Sequence, residues 1–125
     1  MPIHGLDHIV LNVADVERSL AWYTERLGLS GVRVDEWRAG EVPFPSVRVD
    51  EGCIIDLFAR GGPGDVDNLD HLCLVADRAF VDSIVDDADL DVVDGPGPRF
   101  GARGEGWSVY VTDPDGTTVE IRSYD

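Results

Sequence analysis

Two histidines and two carboxylates stand at matched positions of this 125-residue chain. LDHIVLNV (6–13) carries His8 and LDHLCLV (69–75) carries His71; GCIIDLF (52–58) carries Asp56 and GTTVEIR (116–122) carries Glu120. The histidines lie 63 positions apart and the carboxylates 64. Internal repetition decides architecture before any local signal does. Two copies paired about a pseudo-twofold axis let the four groups converge, and two imidazoles with one or two carboxylates form a metal-binding set. Two His and one carboxylate with open positions suit Fe(II) and are also acceptable to Mn, Co, Ni or Zn. A cation held this way stabilises charge developing on two neighbouring substrate oxygens, and a carboxylate beside it can move a proton.

Each group has a plainer alternative. A single strand histidine is usually buried and hydrogen-bonded, but two at repeat-equivalent positions favour ligation. Glu120 alternates with Val119 and Ile121, so it faces away from them and into the cavity. A buried carboxylate needs a partner, and an ion pair with one of the ten Arg is the competing reading for Glu120. Asp56, on the inner face of CIIDLFA with Ile54 and Phe58, is one methylene shorter. It ligates directly or through water, against the alternative of an inward Asp bonded to Arg or to a ligating His. Arg99 and Arg103, in the Gly-rich stretch GPGPRFGARGEG (95–106), suit a substrate carboxylate, which guanidinium binds bidentately. Salt bridges to an acidic surface compete, and Arg99 is retained. Phe58 and Tyr110 are candidate cavity-lining residues. Phe58, Trp22, Trp37 and Trp107 serve equally as core or dimer contacts, and His4 reads as a surface residue.

The elements that must position these groups follow from periodicity. Residues 6–13 alternate as a strand. Asp15 is a good N-cap, Val16, Leu20, Tyr23 and Leu27 recur at helical spacing, and Gly28 can end that helix. Strands are expected near 31–38, 44–50 and 53–59, and RGGPGDVDN (60–68) reads as a linker. The plan then repeats: a strand at 69–76, a helix capped by Asp77 with Phe80, Val81, Ile84, Val85 and Ala88 inside, a short strand at 90–93, a loop at 95–106, a strand at 107–112, a DPDG turn at 113–116 and a strand at 117–123. The unit is βαβββ, present twice, so the expectation is one α+β domain over 1–125, with modules at about 5–60 and 69–124.

Composition narrows the function classes. No apolar run is long enough to span a membrane, and MPIHGLDH shows no secretory signal, so a cytoplasmic protein is expected. Eighteen Asp and seven Glu against ten Arg and no Lys give a net charge of −15. Such a surface repels phosphate backbones, which argues against nucleic-acid partners. The Asp excess without Lys points to a halophilic host, where salt screens self-repulsion. Cys53 and Cys73 form no CxxC and read as ordinary thiols rather than a disulfide.

The segments LDHIVLNVADVERSLAWYTERLGL (6–29), LDHLCLVAD (69–77) and VYVTDPDGTTVEIRSY (109–124) resemble the vicinal oxygen chelate superfamily, which includes glyoxalase I, extradiol dioxygenases and bleomycin-binding proteins. VVDGPGPRFGARGEG (92–106) is similar to a branch of small virulence-associated, glyoxalase-domain proteins. The resemblance implies two modules forming an open, curved, barrel-like sheet with helices outside. It also implies a divalent metal ion (Ni, Zn, Co, Mn or Fe) at His8, Asp56, His71 and Glu120. It favours a glyoxalase I-like lyase or isomerase that shuttles a proton through an enediolate, with Glu120 as ligand and base and Asp56 as the opposite carboxylate. An Fe(II) extradiol-type dioxygenase and a non-enzymatic binding protein of the bleomycin-resistance type are the alternatives. A small-molecule substrate and a homodimer are the expected partners.

Overall fold

The computed structural model describes residues 2–59, 67–112, 114 and 116–125. Positions 60–66 of the expected linker, and Asp113 and Asp115 of the expected turn, lie outside the described residues. Among the described residues the chain is α+β, with eight strands and three short α-helices: β1 (Ile3–Val13), α1 (Val16–Ala21), β2 (Ser30–Val32), α2 (Val34–Arg38), β3 (Ser46–Asp50), β4 (Cys53–Ala59), β5 (Leu69–Ala76), α3 (Arg78–Ile84), β6 (Asp91–Gly101), β7 (Gly104–Thr112) and β8 (Thr118–Ser123). Among the described residues no helix is long and apolar enough to cross a membrane. The chain packs as two compact units, Met1–His8 with His71–Asp125, and Ile9–Asp70. The division falls inside β1, so His8 packs with the second half of the sequence.

In the first unit β5 runs parallel to β8, β8 is antiparallel to β7, and β7 is antiparallel to β6. Strand alternation sorts the two faces. Val109 and Val111 of β7 and Ile121 of β8 join Ala76, Val81 and Ile84 in a core under α3. Their neighbours Ser108, Tyr110, Glu120 and Arg122 therefore point to the opposite face. The second unit pairs β2 with β3 and β3 with β4, all antiparallel. Its core is Val16, Leu20, Val47 and Leu57, with Val34 and Trp37 packed against it.

The departures from expectation have local causes. Residues 31–38 are a three-residue strand followed by α2, not one strand. Arg33 takes a left-handed φ of 57°, which breaks the extended run. Val34 and Trp37, three apart, then reach the core at helical spacing. Asp15 caps α1 as expected, accepting from the Arg18 amide at 3.0 Å. That helix continues as a π-helical stretch over Trp22–Arg26, and Leu27 is exposed. Asp77 holds the N-cap position of α3 without capping it; its carboxylate takes the His4 ring at 2.9 Å instead. Val85 and Ala88 lie outside the core because α3 stops at Ile84. Asp86, Asp87 and Asp89 follow, and acidic residues oppose the negative end of a helix dipole.

The stretch 95–106 is not a loop. It forms the paired ends of β6 and β7, with Pro98 opposite Trp107 and Gly101 opposite Gly104. Its prolines are tolerated because β6 is the last strand in the sheet order, and an edge strand need not donate on its outer side.

A three-residue centre and its supports

His8 of β1, His71 of β5 and Glu120 of β8 meet in the first unit. Their exposures are 2, 9 and 1%. Nε2 of His8 and Nε2 of His71 each lie 3.2 Å from the same oxygen, Glu120 Oε1. The two rings stand edge to face, with centroids 5.5 Å apart. In β-sheet register Glu120 sits between Cys73 of β5 and Tyr110 of β7, and the Tyr110 ring packs 5.6 Å from the His71 ring. The repeat-equivalent histidines and the last-strand carboxylate are thus brought together by alternation on three strands.

The supports were not singled out from the sequence. Asp7 is fully buried. Its Oδ2 accepts from His8 Nδ1 at 2.7 Å and from the Ala102 amide at 3.1 Å, and its Oδ1 accepts from the Tyr124 hydroxyl at 2.5 Å. Glu120 Oε2 accepts from the Ser108 hydroxyl at 2.7 Å and from Arg122 Nη2 at 2.7 Å. One signal could have found Arg122: it lies two residues beyond Glu120, on the same face of an alternating strand. The repeat marks Asp7, whose counterpart is Asp70 of the second LDH triplet, but alternation sets it opposite His8 and its other partners are distant in sequence.

The electrostatics are those of a tightly coupled cluster. Burial alone would raise the Glu120 carboxyl, but His71, His8 and Arg122 hold it well below the usual carboxylate range. Burial alone would lower the His8 imidazole, yet Asp7, Cys73 and Glu120 raise it. Burial, with Glu120 nearby, pushes the Tyr110 phenol up, so it stays a protonated donor at neutral pH. Burial likewise pushes the Cys73 thiol up to about 12.

The donor set fits a divalent cation. The Nε2 atoms and the carboxylate oxygen lie within 4.8 Å of one another. Two ligand atoms 3.2 Å apart subtend roughly a right angle at an ion bonded at about 2.1 Å. Asp7 holds His8 through Nδ1 and leaves Nε2 for the cation, the usual support of a ligating histidine. Asp7→Asn keeps the volume but leaves one acceptor oxygen for donors on both sides of the carboxylate. It should weaken binding of a divalent ion by about 10–100-fold, read by titrating the metal-free protein with Zn(II).

The other expected site residues are placed as follows. Tyr110 lines the centre beside His71. Arg99 lies one ring further out, its guanidinium 5.6 Å from the Tyr110 ring centroid and 3.2 Å from Asp94. Asp56 is buried in the second unit, where the Ser46 hydroxyl donates to it and Arg33 Nη2 lies 4.0 Å away. Phe58, in the same unit, packs on Phe44 at 4.6 Å. Trp37 and Trp107 flank the two cores, while Trp22 is half exposed. Cys53 and Cys73 are free thiols.

Comparison with known proteins adds a family to this geometry. The model of the Glyoxalase/Bleomycin resistance protein/Dioxygenase superfamily matches residues 5–121. The Virulence protein STM3117 of Salmonella typhimurium is 32% identical over 130 residues, covering 99% of this chain and 87% of that protein. A probable lactoylglutathione lyase of Synechocystis sp. is 28% identical over 121 residues, covering 91% of each. The crystal structure of the Mn(II)-bound glyoxalase from Novosphingobium aromaticivorans matches with a TM-score of 0.74 and 23% identity. It covers 98% of this chain and 39% of that one, a likeness of fold.

Proposed function

Since the chain belongs to the Glyoxalase/Bleomycin resistance protein/Dioxygenase superfamily, we propose that it is a metal-dependent lyase or isomerase of the glyoxalase I kind. It would act on a small substrate with two neighbouring oxygens. The observation that carries this reading is the pair of Nε2 atoms, each 3.2 Å from one buried carboxylate oxygen. In this reading His8, His71 and Glu120 would hold the cation. A bound divalent ion supplies Lewis-acid stabilisation of charge on substrate oxygen. Glu120 would move a proton from the carbon beside the substrate carbonyl to the neighbouring carbon through Oε1, the oxygen not committed to Arg122 and Ser108. Tyr110 offers a phenolic O–H to the substrate, and Arg99 grips a carboxylate. The relative of Synechocystis described as a probable lactoylglutathione lyase supports the reaction class. A second reading, an Fe(II) extradiol-type dioxygenase, is favoured by the same His8, His71 and Glu120 set, which is the two-His, one-carboxylate pattern of non-haem iron oxygenases.

Elemental mass spectrometry on protein purified in molar salt tests both. About one divalent ion per chain is expected in wild type, lost in His71→Ala and Glu120→Ala. Ni, Co or Zn would direct assays to isomerase substrates, and Fe to catechols. Wild type that takes up no metal after reconstitution would sink both enzyme readings and leave a binding protein of the bleomycin-resistance type.

The reading includes a cytoplasmic homodimer with a salt-adapted surface. The charge of −15 supports the last point. The melting temperature should rise between 0.1 and 1 M KCl, as the Debye length falls from about 10 to about 3 Å. A flat or falling melting temperature would count against it.

A further inference from the structure

We propose that Arg122 is a positioning residue for the candidate metal centre, fixing which oxygen of Glu120 is presented to the two imidazoles. This rests on the metal-binding reading above and assigns a role to a residue outside the ligand set. Glu120 and Arg122 are two apart on β8, on the same face, with exposures of 1 and 0%. Oε2 of Glu120 accepts from Arg122 Nη2 at 2.7 Å, from Arg122 Nε at 3.3 Å and from the Ser108 hydroxyl at 2.7 Å. A carboxylate oxygen with three donors has no lone pair left for a cation. Oε1 therefore remains the oxygen directed at His8 and His71.

The guanidinium is itself held against turning. Nη1 donates to the Arg99 carbonyl at 3.0 Å and Nη2 to the Phe100 carbonyl at 2.9 Å. A Cβ on Gly106 would come within 3.1 Å of the Arg122 stem, so the opposite strand leaves it no slack. The planar fork reaches the carboxylate from Nε and Nη2 and the carbonyls from Nη1 and Nη2 in fixed directions, a set that the three donors of a lysine ammonium do not reproduce. The carbonyls belong to the hairpin that carries Arg99. One buried group thus anchors both the ligand and the candidate grip on a substrate carboxylate. In the first module the partners differ: Asp56 accepts from the Ser46 hydroxyl, and the Arg33 guanidinium 4.0 Å away comes from outside its strand.

The test is a Co(II) titration of metal-free wild type, Arg122→Met and Ser108→Ala, following visible absorption. Arg122→Met, shown folded by circular dichroism, should bind Co(II) at least about tenfold more weakly. Its absorption band should also change, because Glu120 gains a free second oxygen. Ser108→Ala should move both readouts in the same direction by less. A residue that merely supported the fold would lower the melting temperature and leave the Co(II) band unmoved. Folded Arg122→Met with wild-type affinity and band overturns the proposal. If Arg122→Met does not fold, Ser108→Ala decides: wild-type affinity and band overturn the proposal, and weaker binding with an altered band upholds it. Wild type that binds no Co(II) defeats the metal reading and the positioning role together, whereas an unchanged Arg122→Met defeats the positioning role alone.

Discussion

Glu120→Ala is expected to lose the bound metal and to unfold about 3–5 kcal/mol more easily than wild type, the usual cost of breaking a buried ion pair from one side. The magnitude follows from what the substitution strands. Arg122 is fully buried, so its charge cannot return to water without opening the hairpin. The Arg99, Phe100 and Gly104 carbonyls that it also meets are dipoles and do not neutralise it. Two buried imidazoles also lose their common partner. Glu120→Gln separates the two effects. Its amide oxygen still accepts from Arg122 and Ser108, so the buried guanidinium keeps a partner and most of the stability should survive. The ligand oxygen does not survive, so the metal should be lost as in the alanine variant. Chemical denaturation of the metal-free proteins checks the first effect, and metal content checks the second. An alanine variant within about 1 kcal/mol of wild type would show that Arg122 finds another partner.

The part of this site legible in the sequence is the part the repeat duplicates. His8, His71 and Glu120 were identifiable because strand alternation gives each a face and the repeat gives each a counterpart, and the structure brings these three together. Arg122 shares the face of Glu120 but has no counterpart, so the repeat was silent about it. Asp7 is duplicated as Asp70, yet its role stays illegible for a different reason. Its partners, the Ala102 amide and the Tyr124 hydroxyl, are contributed by the hairpin end and the C-terminus, and periodicity carries no information about such pairings. The same limit explains the hairpin itself. Glycine and proline in 95–106 read as a loop because their usual meaning is punctuation. At an edge strand the missing N–H costs nothing, and glycine permits close approach. The short helix α2 was missed because Val32 and Val34 alternate like a strand. A single left-handed residue between them, Arg33, changes the path of the chain, and arginine does not announce that conformation.

Gly101→Ala should act on the centre without touching any ligand. Gly101 is not among the glycines with positive φ, so its backbone would accept alanine, and only space forbids it. A methyl there would lie 2.6 Å from Arg122 Cζ and 2.5 Å from the Tyr124 hydroxyl, well inside normal contact distance. An exposed arginine would swing aside, but this one is pinned between Glu120 and two carbonyls. The Tyr124 hydroxyl is likewise committed to Asp7. The methyl therefore pushes on the supports of Glu120 and of His8 at once. If the guanidinium gives way and the ion pair opens, the loss approaches the same 3–5 kcal/mol, and affinity for a divalent ion falls with it. If the hairpin gives way instead, the cost is that of overpacking, about 1–3 kcal/mol, and metal binding is nearly spared. Gly5→Ala is the control, because a Cβ at that position meets nothing within 4 Å; its effect should stay within about 0.5 kcal/mol. Denaturation curves of the two variants beside a Zn(II) titration distinguish these cases. Equal stabilities for Gly101→Ala and Gly5→Ala would mean that the hairpin tip does not press on Arg122.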